Sequence, residues 1–168
     1  MKNIVLIGMP GSGKSAVGAL LSRQLSRPFI DLDTLIEETA SLTVSEIFEQ
    51  WGEGAFRDLE CALAVQTANT TGQIIATGGG VILREENMKA LQKTGILVFL
   101  DRPLEQLARQ NHAARPLLAG DGDKIATLYM ERVELYRHWA QVTVSEAKSP
   151  SDAARQVAAL CRELEETQ

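Results

Sequence analysis

Gly8-Met9-Pro10-Gly11-Ser12-Gly13-Lys14-Ser15 constrains the fold of this chain more than any other stretch. It meets G-x-x-x-x-G-K-[ST] at every fixed position. The apolar run Ile4-Val5-Leu6-Ile7 before it suits a strand buried on both faces. Val17, Leu20, Leu21 and Leu25 after it recur at helical spacing. A glycine-rich loop that joins a buried strand to a helix start turns its backbone N–H groups inward, where phosphate oxygens can sit. In such a cup Gly11, Ser12 and Gly13 supply backbone donors, Lys14 reaches the β- and γ-phosphates, and the Ser15 hydroxyl holds Mg²⁺. A turn needing only flexibility would explain the glycines but not a Lys-Ser pair in the first helical turn. The stretch therefore implies binding of a nucleoside triphosphate.

Strand-like and helix-like segments alternate along the rest of the chain. Phe29-Ile30 reads as a short strand entering Asp31-Leu32-Asp33, with a helix from Thr34 to Ala40. Thr43-Val44-Ser45-Glu46 has the spacing of a capping box and opens a helix through Phe48 and Gln50. Gly52 and Gly54 interrupt that helix, and another runs from Ala55 to Ala68. Ile74-Ile75-Ala76 is a third strand leading into Thr77-Gly78-Gly79-Gly80. Helix over Arg84 to Lys93 and strand over Ile96 to Leu100 follow, and Pro103 suits the first turn of a short helix. Residues 110–123 lose periodicity and read as a loop. Helix returns from Lys124 to Trp139, then strand at Val142-Thr143-Val144, then a last helix from Ser149-Pro150.

Five short strands separated by helices predict one α/β domain, a parallel sheet covered on both faces. Ligands of such sheets collect at the carboxyl ends of the strands. The phosphate loop, the Asp31/Asp33 pair and the triple glycine follow the first three strands and are expected to share one site. The net charge of −5, with no run of Lys or Arg, argues against a nucleic-acid partner. The sequence has no apolar stretch near membrane length and no signal-peptide pattern, so no membrane association is expected and the compartment is read as cytoplasmic. Cys61 and Cys161 lie far apart in helical patterns; a disulfide is open to them, but buried free thiols suit a cytosolic chain better.

Around the cup, Asp31 and Asp33 divide naturally between a metal shell and a substrate hydroxyl, although Asp33 could instead cap the helix at Thr34. Arg57 and Glu60, three apart on one helix, could be an ordinary surface ion pair. Arg132 shares a line with Leu128, Leu135 and Trp139, and a charge in an apolar stripe needs an anion, from a protein carboxylate or a ligand. Arg115, in Arg115-Pro116-Leu117-Leu118, stands where a lid would bring an arginine to a transferring phosphoryl group. Asp101 mimics a second metal-binding aspartate but reads as a helix-start residue before Pro103. His112 and His138 have no metal-ligand spacing.

Taken together, these segments resemble the shikimate kinases, within the nucleoside-monophosphate-kinase-like P-loop enzymes. The resemblance rests on Gly8 to Ser15, Phe29-Ile30-Asp31-Leu32-Asp33 with Ile36-Glu37, Ile47-Phe48 and Gly52-Glu53 before Phe56-Arg57 and Glu60, Thr77 to Gly80, Arg115 to Leu118, and Arg132 before Leu135-Tyr136. It implies strand order 2-3-1-4-5 and ATP-dependent phosphorylation of the 3-hydroxyl of shikimate, on the route to aromatic amino acids, by a monomer. By matching position, Ser15 and Asp31 would serve Mg²⁺, and Asp33 would bind the shikimate hydroxyls as candidate base. Arg57, Glu60, Gly79, Gly80 and Arg132 would bind shikimate, the arginines on its carboxylate. Arg115 would be the lid arginine within a mobile lid at 110–123, while Arg109 and Pro150 would lie by the adenine. Residues 33–60 would form the substrate-binding segment. A gluconate kinase would share the loop but need no two-arginine clamp. A nucleotide kinase would need a base-reading surface, for which the segment between Asp33 and Glu60 is short. A guanine-nucleotide switch would carry Asn-Lys-x-Asp, which this sequence lacks.

Overall fold

A computed structural model describes residues 1–114 and 122–167. The chain runs β1 (Asn3–Ile7), α1 (Lys14–Leu25), β2 (Phe29–Asp31), α2 (Leu32–Ala40), α3 (Val44–Ala68), β3 (Ile74–Ala76), α4 (Glu85–Thr94), β4 (Gly95–Leu100), α5 (Leu104–Ala114), α6 (Gly122–Trp139), β5 (Val142–Val144) and α7 (Pro150–Glu166), with a 3-10 turn at Val81–Leu83. The five strands form one parallel sheet in the order β2-β3-β1-β4-β5, the order the resemblance implies.

Alternate residues of the central strands feed two cores. Val5, Ile7, Leu97 and Phe99 face α3, α4, α5 and α6 through Ala64, Met88, Leu107 and Tyr136. Ile4, Leu6, Ile96 and Val98 face α1 and α7 through Val17, Leu21, Val157 and Cys161. Burial on both faces is why β1 and β4 read as unbroken apolar runs. Cys61 and Cys161 are buried free thiols. Among the described residues no helix is long and apolar enough to cross a membrane.

Register sets the site. Leu6 and Asp31 both pair with Ala76, so β1, β2 and β3 end at one level and their three loops open side by side. The Thr77 hydroxyl and amide both donate to the Leu6 carbonyl, the hydroxyl at 2.8 Å, holding the glycine tract against the phosphate loop.

Several boundaries depart from the sequence reading. The first helix after β2 begins at Leu32, two residues early, because Asp31 is its cap. Gly54 does not interrupt α3; only Gly52 leaves helical geometry, at φ 85 and ψ 169, and the helix resumes beyond that kink. A φ of that sign strains any residue with a Cβ. Thr43 and Glu46 form the expected capping box, with Thr43 Oγ1 accepting from Glu46 N at 3.2 Å and Glu46 accepting from Thr43 N at 2.7 Å. Of the loop expected over 110–123, both ends are helical, since α5 continues to Ala114 and α6 begins at Gly122. Residues 115–121, with Arg115 and Pro116-Leu117-Leu118, lie outside the described residues.

Between β2 and β3, α2 and α3 close a third, smaller core around Ile36, Ile47, Phe56 and Leu63.

Candidate active site

The phosphate loop takes the conformation that its glycines permit. Gly13 stands at φ 91, the left-handed region, as the cap of α1, and it has no side chain to fill the helix end. Gly8 sits where a Cβ would come within 2.8 Å of the Leu100 carbonyl, so the loop leaves β1 pressed against β4. Lys14 is buried, its Nζ donating to the carbonyls of Gly8 and Met9 at 2.8 Å each. The ammonium therefore lies folded over its own loop, inside the cup.

Ser15 is exposed at the first turn of α1 and its hydroxyl donates to Asp31 Oδ2. The same carboxylate accepts from the amides of Asp33 and Thr34 through Oδ1, at 3.0 and 3.2 Å. The capping task assigned as an alternative to Asp33 thus belongs to Asp31, and Asp33 occupies the first turn of that helix. Asp101 lies just ahead of α5, which begins at Leu104, and its carboxylate accepts from Tyr129 Oη at 3.1 Å and faces Arg137 at 4.0 Å.

The triple glycine supplies room rather than unusual backbone angles, since none of the three has positive φ. Each gives space to a different neighbour. A Cβ on Gly78 would come within 2.8 Å of Asp33 Oδ1 and 3.1 Å of Glu60 Oε2. One on Gly79 would strike the Pro10 ring at 2.7 Å, and one on Gly80 would enter the Arg57 guanidinium, 2.6 Å from Cζ. The tract therefore brings the phosphate loop, a carboxylate pair and an arginine onto three consecutive residues.

Arg57 and Glu60 are more than a surface pair. Glu60 is 1% exposed, and its Oε1 accepts from Arg57 Nη1 at 2.8 Å. Burial pushes the Glu60 carboxyl above its ordinary range, and the Arg57 hydrogen bond opposes this without cancelling it. Desolvation outweighs the ion pair, as it commonly does for buried charges. Arg57 stands over the Phe56 ring, 5.1 Å from its centroid, and Phe56 packs on Phe48. Glu60 Oε2 and Arg57 Nε have no hydrogen-bond partner although both atoms are buried. Buried polar atoms without partners are rare, and here they flank the glycine tract.

Arg132 reaches the same cluster, with Glu60 and Tyr136 both feeling its charge. Of the stripe read for its helix, Leu128 and Trp139 do pack against the core. Leu135 does not, at 38% exposed, and the buried line of α6 is Ile125, Val133 and Tyr136. Arg132 borders that line, one turn before Tyr136. Tyr136 itself, fully buried, donates from its hydroxyl to the Gly79 carbonyl at 2.5 Å. Sequence reasoning gave it no role; the available signal was a hydroxyl-bearing ring one helical turn after an arginine on a buried face. Arg109 lies exposed on α5, and Pro150 lies exposed at the first position of α7, whose cap is Ser149.

Ser15 and Asp31 bring two hard oxygen donors together beside the phosphate cup. Among the described residues no group of three or more His, Cys, Asp or Glu could hold a metal. Two donors suit Mg²⁺, which keeps most of its waters and takes the rest of its shell from nucleotide phosphates.

A parallel sheet of order 2-3-1-4-5, a phosphate cup after β1 and an acid-base cluster after β2 and β3 define a P-loop phosphotransferase of the nucleoside-monophosphate-kinase-like class. The family model for shikimate kinase matches residues 10–162. A shikimate kinase of Clostridium beijerinckii is 47% identical over 139 residues, 82% of this chain and 82% of the relative. One from Symbiobacterium thermophilum is 42% identical over 162 residues, covering 92% and 93%. The solved structure of shikimate kinase from Acinetobacter baumannii in complex with shikimate superposes with TM-score 0.91 at 33% identity, over 97% of this chain and 94% of that one. A gluconokinase from Sinorhizobium meliloti shares the fold alone, at TM-score 0.55 and 18% identity. The chain belongs to the shikimate kinase family.

Proposed function

We propose that this enzyme transfers the γ-phosphoryl group of ATP to the 3-hydroxyl of shikimate. The observation that carries this reading is the convergence on Gly78-Gly79-Gly80: Asp33 and Glu60 at the first glycine, Pro10 of the phosphate loop at the second, and Arg57 at the third. A small acid lying on the tract would meet a guanidinium at one end and a carboxylate beside the phosphate loop at the other. Arg57 Nε, buried without a hydrogen bond and 3.6 Å from the exposed Glu53 carboxylate, adds a donor for such an anion, and Arg132 supplies a second planar cation. Shikimate, with one carboxylate and a ring of hydroxyls, has that layout.

In this reading Arg57 and Arg132 hold the carboxylate, with Glu60 fixing the Arg57 fork. The Gly79 and Gly80 backbone lies along the ring. Asp33 accepts the proton of the attacking hydroxyl as its oxygen bonds to the γ-phosphorus and the bond to the β-phosphate oxygen breaks, leaving ADP. Lys14, folded over its own loop by its bonds to two carbonyls, exchanges them for phosphate oxygens. Gly11, Ser12 and Gly13 contribute backbone N–H groups. Mg²⁺, held by Ser15 and Asp31, would neutralise phosphate charge. Arg115, in a lid assigned to the 110–123 region, and Arg109 and Pro150 at the adenine complete the assignment. The same reading makes the enzyme a cytoplasmic monomer without nucleic-acid partners, in keeping with its acidic balance, and makes 33–60 its substrate-binding segment.

The deciding experiment is an ADP-release assay with shikimate, gluconate and nucleoside monophosphates offered separately. ATP consumption strictly dependent on shikimate is expected. Turnover with gluconate or a nucleotide at equal efficiency would overturn the assignment.

A further inference from the structure

The acceptor half of the site fixes the direction in which a nucleotide leaves the phosphate loop. Asp33 and the glycine tract stand on the β2-β3 side of that loop, so the γ-phosphate faces that side. The α-phosphate and nucleoside then emerge on the other side, over the end of β4. That strand pairs with β1 as far as Ile7 and Phe99, and Arg102 follows two residues beyond its last, Leu100. Arg102 Nη1 lies 3.9 Å from where a Cβ on Gly13 would stand, against the bare cap of α1. No phosphate-loop motif calls for this arginine. Its surroundings hold it without neutralising it. Nε and Nη2 both donate to Gln106 Oε1, at 3.0 and 2.7 Å, and an amide oxygen carries no charge. Among the described residues no carboxylate pairs with Arg102 and none accepts from Nη1. The adjacent Asp101 carboxylate is engaged by Tyr129 and Arg137. The Asp101 amide donates to the Val144 carbonyl at 3.0 Å, and Pro103 biases the Arg102 backbone towards extended conformations. The start of α1 is itself positive, so the half-buried guanidinium sits where an anion is needed to relieve it.

We infer that Arg102 is a nucleotide-binding residue, donating from Nη1 to the α-phosphate of ATP and ADP, with Gln106 as the positioning residue that presents it. The inference deepens the ATP half of the proposed function and rests on that reading for the direction of the nucleotide. With the β-phosphate in the loop and the γ-phosphate facing Asp33, the α-phosphate stands at the rim between the first turn of α1 and Arg102. No bond to the α-phosphorus forms or breaks in the transfer. A contact there is made equally with ATP, the transition state and ADP, so Arg102 governs affinity and not rate.

The test is Arg102→Gln, read first by calorimetric binding of ADP with Mg²⁺ to the protein without shikimate. The Kd should rise about tenfold, the effect of losing one hydrogen bond between charged groups, and binding should become less sensitive to salt. The ATP KM should rise by the same factor, while kcat and the shikimate KM at saturating ATP change less than about twofold. Gln106→Glu keeps the arginine but pairs it with a carboxylate, and it should weaken ADP binding about as much. Arg23→Gln makes the same change of charge at the exposed far end of α1, and ADP affinity should there stay within about twofold. Unchanged ADP affinity in Arg102→Gln or Gln106→Glu, or an equal loss in Arg23→Gln, would overturn the inference. So would a fall in kcat with ADP binding intact, which would move Arg102 to the γ-phosphate. A wild type that binds ADP but leaves shikimate untouched would sink the substrate assignment alone, with the ADP measurements still judging Arg102. One that binds no ADP would sink both.

Discussion

The phosphate loop draws its groups from the consecutive residues Gly8 to Ser15, whereas the proposed acceptor half gathers Asp33 from α2, Arg57 and Glu60 from α3, Gly78 to Gly80 after β3, and Arg132 and Tyr136 from α6. The first is a local device: a helix end, a left-handed glycine and a lysine bonded to the carbonyls of Gly8 and Met9. The second exists only once the sheet is in register. Polar groups in the local device can exchange partners with a ligand at small cost. Those in the gathered half meet around the buried Glu60 and Tyr136, so a change in one is felt by the next. The difference teaches where specificity would reside, because many chains can make the cup but the proposed acid-binding cluster requires this whole topology.

Removing Lys14 should produce the largest effect, confined to chemistry. Lys14→Ala is expected to lower kcat by about 10²–10³-fold or more, with the fold retained by circular dichroism; near-normal turnover would end the phosphate-loop reading. Asp33→Asn comes next, with a fall in kcat of about 10²–10⁴-fold and almost no change in melting temperature. Thermal stability is spared because the helix cap is Asp31. Normal turnover would strip Asp33 of any role as base.

Arg57→Ala and Arg132→Ala should each cost about 2–5 kcal/mol in binding the substrate anion, on the order of 30-fold to a few thousand-fold in kcat/KM for shikimate. ATP affinity measured without shikimate should hold. Variants that kept the full preference for acid over amide would reduce both arginines to structural ion pairing. The glycine tract offers a finer cut between the halves. Gly80→Ala meets Arg57 and should raise only the shikimate KM, while Gly79→Ala meets Pro10 and should disturb ATP binding as well. Identical kinetic profiles would mean that the tract does not separate the halves.

The smallest effect is a pH slope in stability. Burial raises the Glu60 carboxyl above its ordinary 4.5 despite Arg57, so the folded state binds this proton more tightly than the unfolded chain. That contribution is fully present below pH 4.5 and is lost as pH rises through the folded value. Glu60→Gln should therefore show a shallower decline in melting temperature than wild type from pH 4.5 upward. Parallel curves would assign the slope to other groups.

Legibility in the sequence followed the same division. The cup, the strand before it and the helix after it were readable because their signals are contiguous. The joint opening of three loops was readable too, since buried strands followed by glycines or acids mark carboxyl ends. Asp31 and Asp33 could not be told apart, because either aspartate two residues from the other can cap a helix; register and the Ser15 hydroxyl decide it. The stripe around Arg132 was read one position off at Leu135, which is exposed; Leu128 and Trp139 pack on the core beside the buried Ile125, Val133 and Tyr136. Tyr136 entered only as the flank of the Arg132 motif, with no role attached to it. Nor could one sequence tell that three glycines make room for three different neighbours.

The small core between β2 and β3 has a further consequence. Its fully sequestered side chains are Ile36, Ile47, Phe56 and Leu63, against far larger sets on the two faces of the sheet. The kink at Gly52 falls within its own stretch of helix, between Ile47 and Phe56. A unit with so little to expose opens on its own at a fraction of the energy of global unfolding. Phe56 belongs to that unit and carries Arg57 on its ring. Warming would then take away the proposed anchor of the acid while the sheet, and the phosphate loop above it, still stood.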